Sequence, residues 1–373
     1  MNILVLGNGF DLAHGLPTGY KDFLRFTDAF VEYNQTGKII PKKHEKKWDE
    51  EKETQLISYI NDLFTRASAD TDIQKLVDEI SMLITDNNLI EHFKKINIAQ
   101  GWIDFEGEIA KIIQVLDVVR IKTIKGIQQS GKGEKLTTHE QNVLSPFFGQ
   151  ASFFTSMEPL KKRKAQMLDD LNRLTRCLEI YLCDYVEKIS IKGKLPDLDG
   201  LDIHAVVSFN YTDTYRANYV TDPKTVECDF IHGKAEISHD KDTCSMVIGI
   251  DEYLDGAVKE NDNEYIQFKK FFQRIYKATG CDYVDWLEKI KPRPAERYCP
   301  DETNIYIYGH SLDATDKDIL ATLITAENVK TTIFYHDQEA LGKQIINLVK
   351  VITEDELIRR TGKKNIVFKK TQK

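Results

Sequence analysis

The chain has 373 residues and a formal net charge of −8, from 51 Lys and Arg against 59 Asp and Glu, which argues against a dedicated duplex-DNA or RNA binder. With 41% apolar residues it can bury a sizeable core, in two or three domains or in one domain carrying a large insertion. Six cysteines without a Cys-x-x-Cys pair exclude the usual zinc ribbon and predict reduced thiols. No apolar run reaches the length of a membrane span, so a cytoplasmic protein is expected.

The apolar run Ile3–Leu6 predicts a buried parallel strand that starts too early, and is too short, to be a signal peptide. Gly7-Asn8-Gly9 follows at once, and a helical stretch follows that. A strand that stops at paired glycines before a helix is a candidate phosphate cradle, because backbone N–H groups can approach the anion with no side chain between. The spacing excludes a dehydrogenase fingerprint: Phe10 and Asp11 follow Gly9, the next glycine is Gly15, and no strand ending in an acid comes next. It is not a P-loop either, since Gly-Lys-Ser/Thr is missing.

From about residue 22 to residue 200 the chain reads as helix. Met167, Leu168, Leu171, Leu174, Leu178, Tyr181, Leu182 and Tyr185 form a stripe at three- and four-residue steps, which fits core packing better than a partner groove. Residues 126–140 read as a mobile loop, and Pro196–Gly200 as a polar hinge. The basic clusters Lys42–Lys47 and Lys161–Lys164 read as solvated faces. Further strands are predicted at His204–Phe209, Cys228–His232, Met246–Ile250, Asn304–Tyr308 and Thr331–Tyr335. The expected architecture is α/β: a doubly wound parallel sheet interrupted after its first strand by a large helical insertion. Its parts are 1–24 (first strand, glycine loop and helix), 25–200 (insertion) and 201–373 (remainder of the nucleotide-binding domain).

The stretch Gly7-Asn8-Gly9-Phe10-Asp11-Leu12-Ala13-His14-Gly15-Leu16-Pro17-Thr18 resembles the signature of the AbiH family of bacterial abortive phage infection proteins. Trp102-Ile103-Asp104-Phe105-Glu106, Phe271-Phe272-Gln273-Arg274 and Gly309–Leu312 extend that resemblance over nearly the whole chain. The order of Gly7-Asn8-Gly9, Ser208-Phe209-Asn210-Tyr211-Thr212-Asp213, Ile231-His232-Gly233 and Tyr308-Gly309-His310-Ser311-Leu312 also resembles the NAD-binding plan of sirtuins. The resemblance implies a sirtuin- or Rossmann-like sheet and an antiphage effector that hydrolyses the nicotinamide–ribose bond of NAD. It assigns Asn210 and His232 to catalysis. Ligand contacts would come from Gly7, Asn8, Gly9, Phe10, Asp11, Gly15, Thr212, Asp213, Gly309, Ser311 and Asp316, with no metal and no cofactor beyond NAD as substrate or ligand.

That bond makes modest demands, since the pyridinium leaves neutral and needs no general acid. The transition state is oxocarbenium-like; a neutral imidazole can take the proton of a water or ribose hydroxyl while an Asn orients it. Each residue has a plainer reading beside this one. Asn210 could cap the helix after its strand, His232 could be a satisfied strand-end histidine, and Ser311, Thr315 or Asp316 could cap the next helix. His14 and His310 lie in candidate loops with no base partner evident, and Asp104 and Glu106 are candidates to face the cleft.

The chain also departs from the sirtuin pattern. Gly19 and Tyr20 replace nicotinamide-side residues, Phe209 replaces a Gln, Thr212 replaces an Asp, and Asp11 places a carboxylate where phosphate would lie. The zinc module of protein deacylases is missing. Two alternatives therefore stand beside the hydrolase. One is a nucleotide-binding regulator without turnover. The other is a nuclease with a metal on Asp11, Asp213, His232 and Asp251. The expected partners are NAD or a related nucleotide, a phage-derived trigger and further copies of the chain, with no membrane and no nucleic acid.

Overall fold

The computed structural model describes residues 1–42, 49–100, 104–254, 263–290 and 303–372. Part of the first basic cluster (residues 43–47), Trp102, Ile103 and Cys299 lie outside the described residues. Two compact units emerge, each assembled from separate stretches of chain. One comprises Met1–Thr18, Val186–Ala235 and Ala278–Lys373; the other comprises Gly19–Tyr185 and Glu236–Lys277.

The first unit is built on six strands, all paired in parallel: β1 (Asn2–Leu6), β2 (Ala205–Ser208), β3 (Glu227–Phe230), β4 (Thr303–Tyr308), β5 (Val329–Tyr335) and β6 (Ile366–Lys370). Their order across the sheet is β3-β2-β1-β4-β5-β6. The register sets Ile3 against Ala205 on one side and Ile305 on the other. Successive side chains of a strand point to opposite faces. Accordingly Ile3, Val5, Val207 and Ile305 pack in one core with Leu320, Leu323 and Leu348, while Leu4, Leu6 and Val206 pack in another with Phe10, Tyr308 and Phe334. The sheet is covered on both faces, as a parallel sheet must be. The chain runs outward from β1 through β3 and then outward again from β4 through β6. The strand order therefore reverses between β1 and β4, where open α/β sheets present their ligand crevice at the strand C-termini.

The second unit is mainly helical. Its helices span Tyr20–Thr36, Glu50–Ala67, Thr71–Ile84, Asn88–Gln100, Phe105–Ser130, Thr138–Phe148, Glu158–Ile180 and Lys270–Tyr276. The long helix Glu158–Ile180 passes into a π turn, Tyr181–Tyr185. The predicted stripe is core: Met167, Leu171, Leu174, Leu178, Tyr181, Leu182 and Tyr185 are buried.

Two expectations need correction, and one strand had no counterpart among them. Residues 126–140 are not a mobile loop: the helix runs to Ser130 and ends at Gly131 in the left-handed conformation. The backbone then ties to Phe154 and Ser152 through Gly133 and Leu136, and a capping box of Thr137 and Glu140 opens the next helix. Met246–Ile250 is not a strand. Its apolar side chains are buried in the second unit, and only Ile250 forms an isolated bridge, to Lys269. A short apolar run signals burial without saying what buries it. Strand β6, with the pattern apolar-apolar-apolar-Lys-Lys at a sheet edge, was not anticipated.

Candidate functional site

The turn after β1 is packed against the turn after β4. The N–H groups of Gly7 and Gly9 donate to the carbonyls of Tyr308 (3.1 Å) and Gly309 (2.9 Å), and that of Phe10 donates to Gly7 (2.9 Å). A Cβ on Gly7 would come within 2.6 Å of the His310 Cα, and one on Gly9 within 2.8 Å of the Gly309 Cα. Gly309 itself is left-handed, with φ 71°. The three glycines thus let two strand-end loops meet backbone to backbone, and the amides of Gly7, Gly9 and Phe10 already have protein acceptors.

Beside this contact, Asn8 is held by Thr18, whose hydroxyl donates to Asn8 Oδ1 (2.6 Å). Phe10 is fully buried among the rings of His14, Tyr219 and Tyr308. Gly15, at φ 81°, lies against the aliphatic stem of Lys192. His14 is a satisfied core histidine. Nδ1–H donates to the Phe10 carbonyl (2.7 Å), which leaves Nε2 of the neutral ring to accept from the Tyr219 hydroxyl (2.8 Å), itself an acceptor for the Leu195 N–H (2.6 Å). Burial lowers the pKa of this ring below the ordinary histidine value.

Asp11 turns inward, away from any phosphate. It is 1% exposed, its Oδ2 accepts from the Thr212 hydroxyl (2.5 Å), and Thr214 donates in turn to Thr212 (3.2 Å). Its Oδ1 is buried without a hydrogen-bond partner, and burial raises its pKa to about 6. Asn210 follows β2. Its backbone is pinned by Ser208, whose Oγ accepts from the Asn210 N–H (3.2 Å) and donates to the Asn210 carbonyl (3.1 Å). The side-chain amide is buried, and neither its oxygen nor its nitrogen finds a hydrogen-bond partner. Asn210 is not a helix cap: Asp213 occupies the cap position of Thr214–Tyr219, with its carboxylate on Arg216 (2.6 Å) and near Lys234 (3.6 Å).

The most organised chemistry lies around Asp316. Its Oδ1 is 3.1 Å from His232 Nε2, and its Oδ2 is 3.6 Å from His310 Nε2. The backbone N–H of Leu312 donates to His310 Nδ1 (2.9 Å), which leaves the His310 proton on Nε2, facing the carboxylate. His232 likewise donates from Nε2, because an ionised carboxylate only accepts. Phe209 stands edge-on to both imidazoles, with ring centroids at 5.6 and 4.3 Å. Leu312 adopts φ 60° and is fully buried, a left-handed conformation that costs a branched residue energy. Asp313 accepts from the Thr315 N–H (3.0 Å) to cap the turn Ala314–Asp316, and Asp316 stands at the N-cap position of the helix Lys317–Thr325 without a side-chain cap bond, its carboxylate turned to the histidines. Ser311 is exposed on the same loop.

Three groupings therefore form from the residues singled out in sequence: Gly7, Gly9 and Gly309; Asp11 and Thr212; His232 and Asp316. No hydrogen bond joins Asn210 to His232. The absence of a partner for His310 is corrected: Asp316 supplies it, six positions further along the same strand-end loop. Asp104 and Glu106 serve the helical unit, Asp104 by capping Phe105–Ser130 (Oδ1 to the Gly107 N–H, 3.2 Å) and Glu106 by pairing with Lys270 (2.9 Å). Gln273 donates to the carbonyls of Ile248 and Gln267. Asp251 belongs to the helical unit, and among the described residues no three His, Cys, Asp or Glu side chains gather as a metal site. No helix among the described residues is long and apolar enough to cross a membrane.

The sheet order and the polar cluster at its C-terminal edge define a Rossmann-like α/β protein with a candidate site at the strand ends. The family described as bacteriophage abortive infection AbiH matches residues 3–337, and the chain belongs to that family. Its role is accordingly in abortive phage infection. No curated protein and no solved structure matches the chain.

Proposed function

We propose that the protein is an abortive-infection effector that hydrolyses the nicotinamide–ribose bond of NAD. The observation that carries this reading is the His232–Asp316–His310 cluster at the C-terminal edge of the sheet. A carboxylate that accepts from Nε2 fixes the imidazole of His232 and leaves the Nδ1 lone pair as its basic site. That lone pair takes a proton from the attacking water or ribose hydroxyl as charge develops on the sugar. Asp316 is a positioning residue, and Asn210 brings an amide whose two polar atoms await partners in a buried setting. The reading is tested by following NAD and free nicotinamide with purified protein and in expressing cells, wild type beside His232→Ala and Asn210→Ala. Loss of NAD abolished by both substitutions is the expected result. Unchanged dinucleotide pools beside persistent toxicity would overturn it.

A second reading, a nucleotide-binding regulator without turnover, draws on the closed glycine loop. The amides of Gly7, Gly9 and Phe10 are bonded within the protein, so a pyrophosphate would have to bind elsewhere. Toxicity kept in His232→Ala, with ligand binding and no turnover, would favour it.

A further inference from the structure

A cavity of about 690 Å³ opens at the N-terminal ends of β1, β2 and β3, and every residue that lines it belongs to the first unit. Asp316 and the histidines lie at the other ends of the strands. The volume falls in the range of small-molecule sites, roughly 300–1,000 Å³. Trp286, from one core of the sheet, and Tyr215, from the other, both reach it. Tyr215 is 8% exposed, its ring held by Phe10 and by a stacked Tyr219 (centroids 5.1 Å apart). Its hydroxyl has no hydrogen-bond partner among the described residues. Burial, then the neighbouring Tyr219 and the carboxylate of Asp202, push its pKa up to about 12. The phenol is therefore neutral, with lone pairs to offer. Three carboxylates line the same space, Asp202, Asp222 and Glu227, and no lysine or arginine does. Asp222 is engaged in its own turn, accepting from the Lys224 N–H (3.1 Å). Asp202 has the imidazole of His204 at 3.8 Å. Glu227, the first residue of the edge strand β3, has no ion-pair partner among the described residues. Lys194 approaches from outside the lining, over the ring of Tyr219 (5.4 Å).

We infer that this cavity binds a small organic cation of the amine or guanidinium class, whose N–H groups donate to the carboxylates of Asp202 and Glu227 and to the hydroxyl oxygen of Tyr215. None of these residues takes part in the NAD chemistry proposed above. Carboxylates spread over an open surface attract cations only weakly, because water and salt screen them. Here they stand around a concavity with aromatic walls, where the field of one sign is focused. The same carboxylates repel a phosphate or any other anion. A bare metal ion is a poor fit, since no three His, Cys, Asp or Glu side chains gather closely enough to hold one among the described residues. An amine or guanidinium with several N–H donors on one frame can reach separated acceptors. It can also meet the Tyr215 hydroxyl, which is fixed by its buried ring and bonded to nothing in the protein.

Calorimetric titration of the full chain with Nα-acetylarginine amide and Nα-acetylcitrulline amide tests this directly. The two probes have nearly the same shape, and only the first is a cation. The arginine probe is expected to bind, and the citrulline probe at least about tenfold more weakly, the usual worth of hydrogen bonds to charged groups. Tyr215→Phe removes a hydroxyl without a protein partner, and Glu227→Gln removes a charge from an exposed strand end. Each should weaken binding of the arginine probe at least about threefold with an unchanged thermal melt. Tyr215→Phe alters no charge, so it separates a built site from general attraction to an acidic surface. No binding of the arginine probe to wild type, equal binding of the two probes, or full affinity in either variant would each overturn the inference. NAD is absent from the titration, so the result is the same whether or not the protein consumes it.

Discussion

The carboxylate of Asp316 lies 3.1 Å from Nε2 of His232, although 84 positions separate the two in the chain. Two strand-end loops, those after β3 and β4, bring them together, and Phe209 packs against the imidazole. Replacing Asp316 by Asn keeps the shape but puts an N–H where an acceptor is needed, so one imidazole loses its tautomer. NAD turnover should fall by about 10²–10⁴-fold, the usual worth of a positioned general base, while nucleotide affinity stays unchanged. Steady-state kinetics beside a binding titration separate the two effects. A kcat equal to wild type would remove Asp316 from the mechanism.

Gly309 makes the second prediction. Its φ of 71° is left-handed, and a Cβ there would run into the backbone of Gly9 and Phe10. Gly309→Ala should destabilise the sheet unit by more than about 2 kcal/mol, adding left-handed strain to a steric clash. The loop carrying His310 would shift with it. Urea unfolding measures the loss, and a change under about 0.5 kcal/mol would show that the two loops part without cost.

Asp11 makes stability depend on pH in an unusual direction for a carboxylate. Burial raises its pKa from 3.8 to about 6, so the folded protein holds this proton more tightly than the unfolded chain. The group's stabilising contribution is complete below about pH 4, declines as pH rises through about 6, and is lost above that. The rise corresponds to roughly 3 kcal/mol at neutral pH. Asp11→Asn keeps an acceptor for Thr212 and removes the charge. It should therefore raise the urea midpoint at pH 8 and leave it nearly unchanged at pH 4. A gain of the same size at both values would mean that the substitution acts through something other than the ionisation of this carboxylate.

Much of this arrangement was legible in the sequence, and the remainder was hidden for identifiable reasons. Strands β1, β2, β3, β4 and β5 show as short apolar runs that stop at Gly, Asn or Asp, and the loops at their ends carry the polar residues of the site. Strand β6 ends in Lys369 and Lys370 at a sheet edge, where one face meets water, and its apolar signal is correspondingly weak. Met246–Ile250 has the opposite character: strong apolar burial with no strand beside it to pair with. The glycines of the first loop announced a close approach, but not of what; Gly309 answers that, and no spacing rule links Gly9 to a residue 300 positions away. Asp316 reads in the sequence as a helix cap, and it does stand at the N-cap position of Lys317–Thr325, but its carboxylate meets two histidines that only the fold brings to it.

The helical unit offers a prediction independent of the site. Glu179 is fully buried, accepting from Arg176 Nη1 (2.8 Å), His239 Nδ1 (2.6 Å) and the Glu236 N–H (3.1 Å). Arg176 in turn donates to Glu79 and to the carbonyls of Glu236 and Ile237. These bonds fasten the start of Glu236–Lys277 to the helix Glu158–Ile180, joining the two chain segments of that unit. Removing one member of a buried ion pair strands the other, at about 3–5 kcal/mol, whereas replacing both with apolar groups is far cheaper. Glu179→Leu should therefore lower the urea midpoint steeply and open residues 236–245 to limited proteolysis. The double variant Arg176→Met, Glu179→Leu should recover much of the loss despite having fewer hydrogen bonds. If the double variant is as damaged as the sum of its parts, the network contributes through its individual bonds and not through charge left without a partner.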